Sequence, residues 1–254
     1  MTISPTADEP ARPDRVWSAL VAAARAAGAA RPMVLGHLGQ SLDGFIATRG
    51  GESRFVTGQE NIVHLHRLRA ACDAVVVGAT TVAADDPLLT TRLVPGANPL
   101  RVVLDPRRRL PRERRVFQDG AAPTLLVCDA AHVGPGERHA RAEVIGAPCD
   151  AGRLDLGAVL AALHARGCHA VFVEGGGVTV SAFLTARLLD RLHVTIAPLL
   201  IGAGRPGLRL PPVASLADAQ RGACGVFRMG EDVLFDFDLQ AEAQASGGVP
   251  AMSV

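Results

Sequence analysis

The chain has 254 residues, 48% of them hydrophobic, and its 26 basic and 25 acidic side chains give a formal net charge of +1. No apolar run approaches the roughly 20 residues that a membrane-spanning helix needs, and no excess of positive charge predicts nucleic acid binding. The composition therefore indicates small-molecule partners. Because the first residues lack the pattern of a secretory signal, we expect the protein in the cytoplasm.

Lysine and tyrosine are both absent, so all 26 basic residues are arginine. Their absence excludes a lysine Schiff base, a P-loop lysine and a Tyr/Lys dehydrogenase pair. The five cysteines include no C-x-x-C pair, so we expect buried thiols and no structural metal. Arginine binds phosphate and carboxylate through a planar fork, and arginines in a pocket would therefore predict an anionic substrate.

Short apolar runs and helical segments alternate along the chain. Residues 1–31 form an N-terminal extension with a predicted helix over 13–29, which we expect to be an appendage. Predicted strands then begin at Met33, Ala74, Leu100, Thr124, Ala170 and Leu192, and predicted helices cover residues 58–71, 155–166 and 178–190. The alternating segment Asp232–Leu239 is typical of an edge strand.

This order predicts an α/β fold: a mostly parallel sheet flanked by helices, with an antiparallel C-terminal edge. We expect a single domain over residues 32–240, because no internal repeat or long linker interrupts it. The small, polar residues 241–254 predict a disordered tail.

The best candidate for a phosphate site is the segment that follows the strand beginning at Ala170. A buried strand ends at Glu174, Gly175–Gly177 come next, and a helix follows immediately. Glycines allow a ligand to approach the backbone, and the amides at a helix start favour an anion. Val180 breaks the dinucleotide pattern G-x-G-x-x-G, so a plain strand-to-helix turn stays open.

Two further stretches carry polar side chains after predicted strands. Residues 78–92 include Asp85 and Asp86, which are either ligand-binding groups or caps of a helix or turn. Residues 39–44 include Asp43 and Gly44, which predict a turn.

Together these three stretches resemble the reductase domain of the riboflavin-biosynthesis deaminase/reductase, which has a dihydrofolate-reductase-like fold. The shared motifs are S-L-D-G, G-E-S, T-V-x-A-D-D-P-x-L-T-x-R and V-E-G-G, and the likeness covers roughly residues 32 to 240. The zinc motifs of the deaminase half, H-x-E and P-C-x-x-C, do not occur in the chain. The resemblance implies a homodimer that uses NADPH to reduce the ribosyl group of 5-amino-6-(5-phosphoribosylamino)uracil.

The resemblance also implies roles for individual residues. Those that match cofactor-binding positions are Gly39, Phe55, Thr81, Asp85, Gly176, Gly177, Val178, Thr179, Val180, Ser181 and Ala182. Those that match substrate-binding positions are Ser53, Arg69, Leu89, Arg92 and Glu174. We expect Arg69, Arg92 and Ser53 to form a phosphate clamp, although a solvated helix face is the alternative for Arg69. Asp85 and Glu174 are the candidates for catalytic residues.

Three positions depart from the family pattern. Phe55 stands where many relatives have tryptophan, His37 where bifunctional relatives often carry lysine, and Pro106 where a cofactor-contacting serine is common. Pro106 removes one contact to the ribose phosphate of the cofactor, and the arginines at 107–109 are candidates to supply it instead. Because His37 lies alone within an apolar run, a hydrogen-bonded core residue is favoured over a proton donor.

Two other functions compete with this one. The first is reduction of another heterocycle, such as a pterin, dihydrofolate or a specialised pyrimidine, by an enzyme of the same fold. The second is NADPH binding without turnover. A phosphorylated substrate is favoured because an uncharged one does not need Ser53, Arg69 and Arg92 together. His64 and His66 face different sides of a predicted helix and make a poor metal pair.

Overall fold

A ten-stranded sheet forms the centre of residues 12–240, which are the residues that the computed structural model describes. The first half contains α1 Pro13–Ala26, β1 Met33–Ser41, β2 Phe45–Thr48, α2 Gln59–Ala71, β3 Ala74–Gly78, α3 Ala79–Asp85, β4 Leu100–Leu104, α4 Arg115–Gln118 and β5 Thr124–Asp129. The second half contains β6 Arg138–His139, β7 Ala142–Ala147, β8 Cys149–Asp150, β9 Arg153–Leu154, α5 Leu156–His164, β10 Ala170–Glu174, α6 Gly177–Thr185, β11 Arg191–Ala197, β12 Gly204–Pro206, β13 Cys224–Met229 and β14 Asp232–Asp238.

The strand order is β13-β14-β11-β1-β10-β3-β4-β5-β7-β6. Neighbouring strands from β11 to β7 run parallel, whereas β14 is antiparallel to β11 and β13 is antiparallel to β14. This arrangement confirms the predicted α/β class with its antiparallel C-terminal edge. One detail of the prediction was wrong, because β14 is not the edge strand: β13 covers it.

Both faces of the sheet are covered. Helices α5 and α6 pack on one face through side chains such as Leu163 and Phe183. Helices α1 and α2 pack on the other face through Trp17 and Leu68. Each strand of the sheet centre is therefore buried on both sides, as its continuous run of Val, Ile and Leu indicates.

The N-terminal helix α1 is part of the core, and the expectation of an appendage was wrong. Trp17 is fully buried and its indole Nε1 donates a hydrogen bond to Cys72 Sγ at 3.2 Å. Truncating a buried tryptophan typically costs about 3–5 kcal/mol of unfolding free energy, so α1 contributes to stability. The predicted disorder of residues 241–254 lies outside the described residues.

Among the predicted helices, α6 ends well before residue 190, where its prediction ended. Helix α6 ends at Thr185, and the chain then turns through Arg187 with a φ of 54°. Asp190, a few residues on, accepts a hydrogen bond from Val34 N at 2.7 Å, which fixes the connection to the sheet. Strand β11 ends at Ala197, directly before Pro198, which has no amide hydrogen to donate to a neighbouring strand. The loop that follows is held by Asp43, which accepts the amide of Gly202 at 2.6 Å.

Candidate active site

The candidate site lies where β1, β10 and β3 end at the same edge of the sheet. His37 of β1 pairs in register with Glu174 of β10, and Val173 pairs with Val76 of β3. The carboxyl ends of parallel strands are where α/β proteins place ligands. The three stretches singled out in the sequence therefore meet along one edge.

Arg69 and Glu174 form a buried bidentate ion pair. Arg69 Nε donates to Glu174 Oε2 at 2.7 Å, and Nη2 donates to Oε1. The remaining Nη1 donates to the carbonyl oxygen of Thr90 at 3.0 Å. Arg69 is only 6% exposed, so the solvated-face alternative was wrong. Each of its three nitrogens donates to the protein, and its predicted part in a three-residue phosphate clamp stays a prediction.

Arg92 is the open cation of the site. Its side chain is exposed, and no carboxylate of the described residues pairs with it. Partial desolvation lowers the pKa of Arg92, the positive charges of Arg69 and Arg115 lower it further, and Glu174 opposes them. This concentration of positive charge favours an anionic group at Arg92. The sequence analysis did not identify Arg115 as a site residue. It lies on the four-residue helix α4, far along the chain from Arg92, and only the fold places its charge near Arg92.

Leu89 lies in the same loop but points inward. It is 1% exposed, packs in the core beneath α2, and has a left-handed backbone with a φ of 54°. A non-glycine residue in this conformation carries about 1–2 kcal/mol of strain. Its predicted contact with substrate is therefore limited to the backbone, and the side chain anchors the loop.

The other polar residues of the expected substrate and cofactor groups come together at the end of α3. Ser53 Oγ donates to Asp85 Oδ1 at 3.2 Å. Asp86, with a φ of 41°, caps α3 and accepts the amide of Arg115 at 3.0 Å. The cap alternative is thus confirmed for Asp86, while Asp85 stays exposed beside Ser53.

Phe55 is an exposed ring at a cleft that is lined by the start of α2, the loop after β11 and the β13–β14 turn. It is 81% exposed and has a φ of 63°, and the guanidinium carbon of Arg54 lies 5.9 Å from its ring centre. A strained residue with an exposed aromatic ring next to a cleft is typical of a ligand-stacking position.

The glycine turn leads into the N-terminus of α6, where backbone amides are in a position to bind an anion. The Gly176 amide donates to Thr81 Oγ1 at 3.0 Å, and Gly176 is the N-cap of α6. The amides of Gly177 and Val178 belong to the first helical turn, where intrahelical partners are missing. The exposed Val178 side chain borders these amides, and Thr179 follows at half burial.

Further along α6, the predicted cofactor residues separate. Val180 packs in the core, and Ser181 Oγ accepts the amide of Arg209 at 2.8 Å. Both side chains are buried on that face of the helix, and the predicted role of these two residues at the cofactor stays a prediction; Ala182 is exposed. Gly39 of β1 is half-buried against Thr57.

His37 is a buried core residue, as the sequence favoured. Its Nε2 lies 3.0 Å from Asn61 Oδ1 and 3.3 Å from Thr195 Oγ1. Burial lowers its pKa to about 4, His193 contributes in the same direction, and the hydrogen bond to Asn61 and the charge of Glu174 oppose them. It is therefore neutral at pH 7 and does not serve as a proton donor there.

Beyond Pro106, the three neighbouring arginines differ in their partners. Arg108 pairs with Glu137 at 2.6 Å and donates to the carbonyl oxygen of His132 at 2.9 Å. Arg107 and Arg109 are exposed, and Arg107 lies over Gly152 in the β8–β9 turn. No group of His, Cys, Asp and Glu within residues 12–240 is arranged to hold a metal ion.

Comparison with known proteins identifies the family. The model of the RibD C-terminal domain matches residues 32–227. The chain is 38% identical over 221 residues to the 2,5-diamino-6-ribosylamino-4(3H)-pyrimidinone 5′-phosphate reductase of Methanothermobacter thermautotrophicus, covering 83% of this chain and 99% of that protein. It is 35% identical to the riboflavin biosynthesis protein RibD of Bacillus amyloliquefaciens, covering 67% of this chain and 47% of that protein.

The fold agrees with this relationship. The structure superimposes on the Thermotoga maritima diaminohydroxyphosphoribosylaminopyrimidine deaminase/5-amino-6-(5-phosphoribosylamino)uracil reductase with a TM-score of 0.69 and 27% identity, covering 82% of this chain and 57% of that one. The chain belongs to the RibD C-terminal domain family. It has the fold of these reductases, which confirms the predicted dihydrofolate-reductase-like class. No helix in the described part of the chain has the length and apolarity to cross a membrane.

Proposed function

We propose that this chain catalyses the NADPH-dependent reduction of the ribosyl group of a ribosylaminopyrimidine 5′-phosphate to the ribityl form. The observation that carries the proposal is the 38% identity that spans 99% of a named pyrimidinone phosphate reductase. The exposed Arg92 supports it, because this cation interacts with Glu174, the residue that directly precedes the glycine turn, so that one edge of the sheet offers an anion site for a substrate and another for a cofactor.

The residues at the sheet edge fit a nicotinamide cofactor. The amides of Gly177 and Val178 have no intrahelical acceptor and suit a pyrophosphate, Thr81 fixes the turn through Gly176, and Phe55 offers a ring for stacking. A reduced nicotinamide supplies the hydride, so the protein itself has to bind and orient the reactants.

Three polar side chains are assigned to substrate binding and proton transfer. Arg92 binds the substrate phosphate. Glu174, held by Arg69, accepts hydrogen bonds from the ring or the sugar of the substrate. Asp85 is the exposed carboxyl group of the pair Asp85 and Glu174 and lies beside Ser53, whereas Glu174 is engaged by Arg69. Asp85 is therefore the better candidate for proton transfer.

The test measures NADPH consumption with five compounds. Two are phosphorylated, namely 5-amino-6-(5-phosphoribosylamino)uracil and its 2,5-diaminopyrimidinone counterpart. The other three are the dephosphorylated form of each of these and dihydrofolate. Turnover of either phosphorylated ring, lost on dephosphorylation, supports the proposal, and the preferred ring identifies the natural substrate. Turnover of dihydrofolate alone would establish the pterin alternative, and binding of NADPH without any turnover would establish a non-catalytic role.

Preference for NADPH over NADH rests on the arginines after β4. Strand β4 lies two positions from β10 in the sheet, which places its end about 10 Å from the glycine turn. Arg108 is engaged with Glu137, which leaves Arg107 and Arg109 to bind the additional phosphate of NADPH. We propose Arg107 as the principal contact.

A homodimer in the cytoplasm completes the proposal. Exposed apolar side chains occur at Leu200 on the loop after β11, at Leu216 on the loop after β12, and at Val226 on the edge strand β13. Such a surface is typical of a protein interface. The free thiols of Cys72, Cys128 and the other cysteines suit a reducing compartment. Light scattering during size-exclusion chromatography would distinguish a dimer from a monomer.

A further inference from the structure

The loop that carries Arg92 is held by side chains at four backbone groups. Arg101 Nη1 donates to Leu88 O at 3.1 Å, Arg69 Nη1 to Thr90 O at 3.0 Å, Asn98 Oδ1 accepts Thr91 N at 2.8 Å, and His66 Nδ1 accepts Arg92 N at 3.0 Å. These anchors come from α2, from β4 and from the segment before β4. Surface loops normally leave such groups to water.

The anchors make the loop rigid in a conformation that it would not adopt alone. The left-handed Leu89 lies between the two carbonyl groups that Arg101 and Arg69 hold. Strained residues persist where the surrounding structure fixes them, and they concentrate at binding sites. The position of the Arg92 backbone, from which its side chain extends, is therefore fixed before a ligand binds.

We propose that His66 is a positioning residue that sets Arg92 for the phosphate of the substrate through the hydrogen bond from the Arg92 amide to its Nδ1. The inference rests on the proposed function in one respect, namely that Arg92 binds phosphate. His66 is 1% exposed and does not itself reach a ligand surface.

The acceptor role requires an unprotonated Nδ1, and the surroundings favour it. Burial lowers the pKa of His66 to about 4; Arg69 of the same helix and Arg92 of the loop lower it further, and Glu174 of β10 raises it. The ring is therefore neutral across the physiological range, and the hydrogen bond persists there.

His66 is also the anchor that can be removed with the least collateral change. Loss of Arg69 leaves Glu174 unpaired, and loss of Arg101 leaves Asp119 unpaired. Replacing His66 changes no net charge. Asparagine places its Oδ1 close to the position of a histidine Nδ1, so His66→Asn keeps an acceptor, whereas His66→Leu removes it and keeps an apolar side chain of similar size.

The first test is steady-state kinetics with the phosphorylated substrate. We expect His66→Leu to raise KM about ten-fold with kcat changed less than two-fold, and His66→Asn to restore KM to within about three-fold of wild type, since ground-state positioning acts mainly on KM. His64→Leu is the matched control: His64 is buried on the same helix but bonds to His193 at 3.1 Å. It should lower thermal stability and leave KM unchanged.

The second test does not depend on turnover. In wild type and His66→Asn, the Arg92 amide should exchange with deuterium slowly by NMR, and in His66→Leu at least ten-fold faster. Equal exchange in all three proteins, an unchanged KM in His66→Leu, or a KM increase in His66→Asn or His64→Leu as large as that in His66→Leu, overturns the proposal. If wild type fails to turn over any phosphorylated substrate, the proposed function fails, and the exchange rates still decide the role of His66.

Discussion

Replacement of Arg92 by alanine tests the phosphate site most directly. Arg92 is exposed and lacks a carboxylate partner within residues 12–240, so the change removes a cation without leaving a buried charge behind. One charge-assisted hydrogen bond contributes about 1.5–3 kcal/mol, which corresponds to about a ten-fold to hundred-fold change in affinity. Solvent reaches this site, so we expect the lower half of that range at physiological salt.

The assay is NADPH oxidation with phosphorylated and dephosphorylated substrate in parallel. The Arg92–phosphate contact exists in both the ground state and the transition state, so its loss should raise KM and leave kcat nearly unchanged. The affinity for NADPH should stay as in wild type. An unchanged KM for Arg92→Ala, or a wild type that ignores the phosphate, would refute the assignment.

Arg69→Ala provides the contrast that separates binding from structure. This change leaves the Glu174 carboxylate and the Thr90 carbonyl without their partner, and breaking a buried ion pair typically costs about 3–5 kcal/mol. We therefore expect a large loss of unfolding free energy from Arg69→Ala and almost none from Arg92→Ala.

Three other outcomes follow from the site and the core. NADPH should bind at least ten-fold more tightly than NADH in a fluorescence titration, and Arg107→Ala should remove most of that difference. Gly176→Val should abolish NADPH binding while circular dichroism stays native, because a Cβ there lies 3.1 Å from Thr81 Oγ1 and the added methyl groups cover the amides. The free energy of unfolding should fall as the pH drops from about 6.5 towards 4, by at most about 3 kcal/mol for His37 alone; the sign follows because the unfolded chain binds the proton first. Urea titrations between pH 7 and 5 would measure the free energy of unfolding of wild type and His37→Gln. If this free energy depends on pH equally in both proteins, His37 is not the cause of the pH dependence.

The strands at the centre of the sheet could be predicted from the sequence, because strands that are buried on both faces consist of continuous apolar runs. Runs such as Ala74–Gly78 and Ala170–Glu174 are nearly all apolar, and the structure places them where the sequence does. Strand β13, Cys224–Met229, was not predicted, because an exposed edge strand needs no apolar run. Trp17 was misjudged in the opposite direction, because it is buried and not exposed. The alanine-rich sequence of α1 gave no indication that one indole ring enters the core.

The positions of the candidate site could be predicted from motifs, but the part of each residue that faces the ligand could not. Leu89 lies within a matched motif and Val180 at a matched cofactor-binding position, and both direct their side chains into the core. The Arg69–Glu174 contact joins residues 105 positions apart. Only the packing of α2 against β10 creates it, and no local pattern encodes that packing.

That contact also determines how charge is distributed at the site. Glu174 and Arg69 neutralise each other at the end of β10, so Glu174 can accept hydrogen bonds without repelling an anion strongly. Arg92 and Arg115 then contribute positive charge that no carboxylate of the described residues pairs. Had Arg69 remained free and Glu174 unpaired, the same residues would give a site with mixed charge and a mobile loop. The pairing leaves a rigid loop with its positive charge directed outwards, and this arrangement suits a substrate that carries a phosphate at one end and a polar ring at the other.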